Sequence, residues 1–235
     1  MSPAIKKLIK IIPGFLMVLV LPAWADAQPF NSPKPAFSSA AGAWKVYKTN
    51  GQIIAENSVT RKVKTIFSDV DKPQESSRYD LASLVGPLLS VKATLYWEGG
   101  AHPGHLTRLE TINLETGKSP VLLTDLFPEA ALLAALLKDP IVLRSLAGQK
   151  PKTIRELVRI ADGGCEIGFH LLDESFAFHH IQRDRVAIRI GLSHGCEVMR
   201  GNYTELGIYL PIPSSIRDFF EQAASRKTLQ RDYAP

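Results

Sequence analysis

The amino-acid sequence predicts an α+β fold: a largely antiparallel sheet with helices packed on one face, in a single domain. Strand patterns, in which apolar and polar residues alternate, occupy both ends of the chain, whereas apolar residues recur at helical spacing in a central part over 125–161. The 235 residues are 45% hydrophobic and 22% charged, which is typical of globular proteins and excludes a disordered chain.

Residues 1–27 have the features of a secretory signal peptide. Three lysines precede an apolar run over 11–21, which is short for the about 30 Å of hydrocarbon in a bilayer and is interrupted by Pro13 and Gly14. Small residues allow cleavage after Ala25 or Ala27. We therefore expect a periplasmic or secreted product with no membrane span after signal cleavage. An uncleaved membrane anchor is the alternative.

The first elements after the signal are a flexible leader and a group of strands. Residues 28–42 are rich in Pro, Ser and Ala and form the predicted leader, the domain covers 43–226, and 227–235 form a C-terminal tail. Asn50-Gly51 favours a tight turn, which predicts a hairpin of strands over 44–48 and 52–55. A strand over 59–67 and a loop over 69–77 follow.

The clearest strand covers 89–97. Leu89, Val91, Ala93, Leu95 and Trp97 alternate with polar or exposed-type residues, which indicates one buried face. A strand over 107–114, a turn over 115–118 and a strand over 120–123 form the next predicted hairpin.

The helical part begins at Asp125, a predicted N-cap, and its first helix ends at Asp139-Pro140. A short apolar piece covers 141–146, and Thr153-x-x-Glu156 has the form of a capping box for a helix that continues to Ala161. Strands over 165–171, 176–180, 186–192 and 206–210 follow, and a last helix begins at Ser215.

Composition and motifs exclude several classes of function. The net charge is +5, and part of the basic excess lies in the predicted signal, so the excess is too small to indicate a nucleic-acid partner. The chain has no phosphate-binding glycine loop, no serine-nucleophile elbow and no paired-cysteine zinc pattern. We therefore expect no cofactor and no metal.

Cys165 and Cys196 are the only cysteines of the chain. In the oxidising space outside the cytoplasm, such a pair is most simply a disulfide. Two unpaired thiols, one of them reactive, are the alternative.

The most unusual segment lies between two predicted strands and contains Gly99, Gly100, His102, Pro103 and His105. Together with Trp97, the two glycines and two histidines are the candidate binding residues. Aromatic side chains at 44, 47, 96 and 97 can stack on sugar rings. The alternative is architectural: the glycines allow positive φ and His102 ties the loop to itself.

The sequence around this segment resembles a known family. The segments 96–103 (Tyr-Trp-Glu-Gly-Gly-Ala-His-Pro), 113–118 (Asn-Leu-Glu-Thr-Gly-Lys) and 123–127 (Leu-Thr-Asp-Leu-Phe) are similar to the extracytoplasmic domain that forms the C-terminal part of lysozyme-responsive anti-sigma factors and is appended to some polysaccharide deacetylases. The match is concentrated in residues 80–127. The resemblance implies a cell-envelope binding or sensor-type module without catalysis, whose partner is a wall glycan or a wall-active protein.

A second resemblance gives the enzyme alternative. The segment 193–196 (Ser-His-Gly-Cys) resembles the nucleophile segment of L,D-transpeptidases, in which a cysteine thiolate attacks peptidoglycan and an upstream histidine activates it. His180 precedes Cys196 by 16 residues, as in that family, but Ile181 stands where the family has glycine. A disulfide with Cys165 would consume the thiol. The sequence does not determine the ligand or the oligomeric state.

Overall fold

The structure is a computed structural model that describes residues 36–38, 43–98, 103–162, 167–194 and 203–232. Within these ranges the strands are β1 (Phe37–Ser38), β2 (Trp44–Thr49), β3 (Gln52–Asn57), β4 (Val63–Ser68), β5 (Val70–Lys72), β6 (Glu75–Val85), β7 (Leu88–Trp97), β8 (Gly104–Asn113), β9 (Phe176–Gln182), β10 (Arg185–Ser193) and β11 (Tyr203–Pro211). The helices are α1 (Leu123–Leu126), α2 (Glu129–Leu136), α3 (Pro140–Ser145), α4 (Ile154–Ala161) and α5 (Arg217–Ser225).

The strands form three antiparallel sheets. The N-terminal sheet has the order β1-β2-β3-β4, the middle sheet β5-β6-β7-β8 and the C-terminal sheet β11-β10-β9. The N-terminal sheet packs on one face of the middle sheet. Their shared core contains Phe37, Val46, Ile53, Ala55, Leu84, Leu89 and Val91.

The middle and C-terminal sheets pack through small residues and buried hydrogen bonds. Ser175 Oγ accepts a bond from the Leu109 amide (3.0 Å) and donates one to the Gly191 carbonyl. Thr111 Oγ1 donates to the Phe176 carbonyl at 2.8 Å. Because these polar groups are buried and partnered, they join two sheets without the cost of an unsatisfied donor or acceptor.

Helices cover the remaining face of the C-terminal sheet. The buried residues of this layer include Leu132, Leu136, Val142, Leu157 and Phe220 from the helices and Phe176, Phe178, Val186, Ile188, Ile190, Leu192, Leu206 and Ile208 from the strands. All described residues belong to one compact unit. The predicted α+β class, with a largely antiparallel sheet and helices on one face, is confirmed.

The predicted loop over 69–77 is wrong, because this part of the chain contains β5 and the start of β6. The two strands pair antiparallel around a turn at 73–74. Along its whole length β6 also pairs with β7, with Glu75 opposite Trp97 at one end and Val85 opposite Leu88 at the other. A register shift between Leu81 and Ser83 breaks the alternation of β6, and its first half is rich in polar residues. The sequence pattern alone therefore does not indicate this strand.

Two more strand predictions are wrong. Leu123, predicted in a strand over 120–123, begins α1, where the Asp173 carboxylate accepts bonds from the Thr124 amide (2.9 Å) and hydroxyl (2.7 Å). Phe169–Leu171, predicted in a strand over 165–171, is a 3-10 turn, and Ile167 forms only an isolated bridge to His194. In both places the chain is stabilised by contacts with distant residues, which apolar content does not reveal.

The single helix predicted from Asp125 is divided into α1 and α2. Phe127 adopts an extended backbone (φ −127°, ψ 146°) because the ring of Pro128 disfavours helical geometry at the preceding residue. The capping box of α4 is confirmed in its first half, since Thr153 Oγ1 accepts a bond from the Glu156 amide at 3.1 Å. The last helix begins at Arg217, after a 3-10 turn over Ser214–Ile216.

Asp125 ties the start of α1 to the preceding turn, and this contact makes stability depend on pH. The Lys118 ammonium donates to its carboxylate at 2.6 Å and the Leu122 amide at 2.8 Å, and these bonds lower the pKa of Asp125. A lowered folded-state pKa stabilises the fold above the pKa of an unfolded aspartate, about 3.9, and the gain is lost as the pH falls through the folded value.

We therefore expect Asp125→Asn to lower the free energy of unfolding at neutral pH and to match the unsubstituted chain in strong acid. Urea titrations between about pH 7 and pH 2 measure this difference. Asp71→Asn is the control, because the Asp71 carboxylate is exposed and its one ion pair with a described residue is that with exposed Arg78. A difference for Asp125→Asn that persists unchanged in acid would contradict the assignment.

Candidate functional site

An open groove of 390 Å³ lies at the end of β7, beside the core that the N-terminal and middle sheets share. We call it the tryptophan groove. Its lining residues are Val70, Lys72, Glu75, Ser76, Ser77, Tyr79, Leu95, Tyr96 and Trp97. All of these residues except Ser76 and Tyr96 lie on one face of the middle sheet, so two aromatic rings and several polar side chains share one concave surface.

Trp97 is positioned by the strand that follows it. It pairs with Gly104 across β7 and β8, and a Cβ at Gly104 would lie 1.9 Å from the indole ring. The indole therefore lies directly on the Gly104 backbone, which only glycine permits. Trp97 is still 42% exposed, so part of the ring remains available to a ligand.

Tyr79 adds a second aromatic ring to this face, whereas Tyr96 is next to Trp97 on β7 and faces the other side of the sheet. The ring of Tyr79 on β6 stacks on Phe67 of β4 with 4.8 Å between centroids. The Tyr96 hydroxyl donates to the Glu98 carboxylate at 2.9 Å. This hydrogen bond, with a smaller effect from the charge of Glu98, raises the pKa of Tyr96. Tyr96 is therefore a neutral phenol at physiological pH.

The polar lining is solvated and contains both signs of charge. Lys72 and Glu75 form an exposed ion pair of 4.0 Å, and Ser77 Oγ accepts a bond from the Val70 amide at 3.1 Å. An exposed pair of this kind adds little stability and is easily rearranged. The lysine and the carboxylate can therefore turn toward hydroxyl groups of a ligand.

The structure describes two of the five predicted binding residues. Trp97 lines the groove, whereas half-buried His105 pairs with Tyr96 and is not among the lining residues. Gly99, Gly100 and His102 lie outside the described residues. The binding roles of these five residues stay predictions.

The contribution of β6 to the groove was not predicted from the sequence. Glu75, Ser77 and Tyr79 alternate along this strand and pair with Trp97, Leu95 and Ala93 of β7. They therefore share the face of Trp97. The sequence does contain the alternation of Glu75, Ser77 and Tyr79. This alternation indicates a shared face with Trp97 only when the pairing of β6 with β7 is known.

The histidine of the enzyme alternative lies in the C-terminal sheet. His180 Nδ1 lies 2.7 Å from His179 Nδ1, and its Nε2 lies 3.3 Å from the Tyr209 hydroxyl. His194 Nε2 lies 2.7 Å from Thr204 Oγ1. Cys165 and Cys196 are outside the described residues, so the disulfide and the pairing of Cys196 with His180 stay predictions.

Over the described ranges, none of the helices is long and apolar enough to cross a membrane. Comparisons with family models, with curated proteins and with solved structures found no match to this chain. The resemblance carried by residues 80–127 therefore stays a prediction, and the geometry of the tryptophan groove carries the functional argument.

Proposed function

We propose that this chain is an exported, non-catalytic binding module of the cell envelope that binds wall glycan in the tryptophan groove. The observation that carries the proposal is the grouping of Trp97 and Tyr79 with the Ser77 hydroxyl and the charged side chains of Lys72 and Glu75 on one open surface. The signal-like residues 1–27 support a location where wall glycan is present.

The chemistry of a sugar ring fits this surface. A pyranose ring has apolar C–H faces and a rim of hydroxyl groups, so it is best bound by flat aromatic faces with polar groups beside them. Trp and Tyr combine a large apolar ring with a polar atom. The Ser77 hydroxyl, Lys72 and Glu75 offer donors and acceptors at the rim. The groove volume falls within the usual range of about 300–1,000 Å³ for ligand sites.

The charge of the groove favours an uncharged stretch of glycan. Lys72 and Glu75 offset each other, and no other charged residue is among the described lining residues. Binding should therefore depend on stacking and hydrogen bonds rather than on charge attraction. An open groove also suits a polymer chain that enters and leaves at its ends.

Co-sedimentation with purified peptidoglycan sacculi tests the proposal. We expect the mature protein to pellet with sacculi, to be displaced by soluble oligomers of N-acetylglucosamine, and to remain bound in about 1 M salt, where charge attraction is screened within about 3 Å. A basic protein of similar size without glycan affinity is the control. Binding that disappears in high salt, or no binding above that control, would overturn the proposal.

A further inference from the structure

A second and larger cleft lies at one end of the N-terminal sheet. It has a volume of 680 Å³ and lies between the ends of β2, β3 and β4 and the turn that follows β8. We call it the lysine cleft. Its lining residues are Trp44, Asn57, Thr60, Lys62, Val63, Lys64, Ile66, Leu114, Glu115, Thr116 and Gly117.

The floor of the lysine cleft is apolar. Trp44, Ile66 and Leu114 are half-buried and pack against the core shared by the N-terminal and middle sheets. An apolar ligand group on this floor would remove further apolar surface from water, which is favourable in proportion to the area covered.

The rim of the cleft is basic. Lys62 and Lys64 are exposed and stand two residues apart at the start of β4, and no ion pair joins either of them to another described residue. Arg61, by contrast, pairs with Glu56 at 3.6 Å. Against these two ammonium groups, Glu115 is the one carboxylate among the described lining residues. The rim therefore favours an anion.

The polar groups of the cleft are largely engaged in its own turns. Asn57 Oδ1 accepts bonds from the Val59 and Thr60 amides at 3.0 and 2.9 Å. Thr116 Oγ1 accepts a bond from the Lys118 amide at 3.2 Å. A peptide needs donors and acceptors for its backbone, which this surface supplies poorly, whereas an alkyl chain needs none.

From these observations we propose that the lysine cleft binds a single alkyl chain that carries an anionic head group, with a fatty acid as the simplest case. The chain lies on Trp44, Ile66 and Leu114, and the head group lies between the ammonium groups of Lys62 and Lys64. This site is separate from the glycan groove, and neither proposal depends on the other.

The test uses cis-parinaric acid, a fatty acid whose fluorescence rises in an apolar site, with the full mature protein. We expect saturable binding that is displaced by dodecanoate, and a dissociation constant raised about fivefold in Lys62→Ala/Lys64→Ala, because two exposed ion pairs are lost. The control is Lys150→Ala/Lys152→Ala, which removes two exposed lysines with the same spacing from the segment before α4 and should change nothing.

Two probes decide what the cleft recognises. Methyl parinarate, which lacks the charge, should bind the unsubstituted protein about as weakly as the acid binds the double variant. Equal affinity for acid and ester, an equal loss in both double variants, or no saturable binding would overturn the proposal. Displacement by vesicles of anionic phospholipid but not by dodecanoate would also overturn it, in favour of a membrane surface.

Discussion

Replacing Trp97 with alanine is expected to remove most of the glycan affinity and to leave the fold intact. The indole lies on the Gly104 backbone at the end of β7, outside the residues of the main core, and is 42% exposed, so a large part of the ring is available to a ligand. Truncating a central aromatic residue of a binding site typically costs about 2 kcal/mol or more, which is roughly a thirtyfold loss of affinity.

Calorimetric titration with soluble oligomers of N-acetylglucosamine measures this loss. Trp97→Phe should keep part of the affinity because it keeps a flat ring, and Trp44→Phe, which changes the lysine cleft instead, should keep all of it. Unfolding in urea should show a small change for all three variants. Glycan affinity that is unchanged in Trp97→Ala would place the binding surface elsewhere.

Phe178→Ala is expected to have the largest effect on stability. The Phe178 ring is fully buried between the C-terminal sheet and the helices, edge-to-face with Phe176 and Phe220 at centroid distances of 5.4 and 5.0 Å. Loss of a buried Phe ring leaves a cavity and typically costs about 3–5 kcal/mol. We expect a fall of that size in the free energy of unfolding.

Urea unfolding followed by circular dichroism measures the change, with Phe219→Ala as the matched control. Phe219 lies beside Phe220 in α5 and contacts the Gly86 backbone, but it is 39% exposed, so its truncation should cost less, about 1 kcal/mol. If Phe178→Ala and Phe219→Ala lower the free energy of unfolding by similar amounts, the central place of the Phe178 ring in the core is contradicted.

The parts of the fold that were predictable are those in which one local pattern decides the structure. The sequences of β7 and β10 alternate over most of their length, and the buried residues Val186, Ile188, Ile190 and Leu192 lie on the predicted face. The prediction of one buried face is incomplete, because sheets and helices cover much of the other face of both strands as well. The cap at Thr153 was likewise predictable, because a side chain and an amide three residues apart define it.

The parts that were not predictable depend on distant partners. β6 has a polar first half and a register shift, so its strand character follows from pairing with β7. The 3-10 turn at Phe169–Leu171 has the apolar content of a strand, and its two apolar side chains are buried in the core beneath the helices, which a local pattern does not reveal. The break at Phe127-Pro128 is different, since a local rule on residues before proline explains it.

The same contrast applies to the candidate site. Trp97 was predicted because it ends a strongly alternating strand beside an unusual glycine-rich segment. Tyr79 and Glu75 were not predicted as binding residues, because their place beside Trp97 follows from the register between β6 and β7. The lysine cleft depends on the packing of two sheets and a turn, so its lining is spread over residues 44–117.

The most direct test of the central claim is the fluorescence of Trp97 itself. In the mature chain with Trp44→Phe, Trp97 is the remaining tryptophan, since Trp24 lies in the predicted signal. Titration with soluble glycan fragments of peptidoglycan should shift its emission to shorter wavelength in a saturable way, because a stacked sugar ring excludes water from the indole. If saturating fragments bind to the protein but leave the emission unchanged, the glycan does not contact the tryptophan groove and the account is wrong.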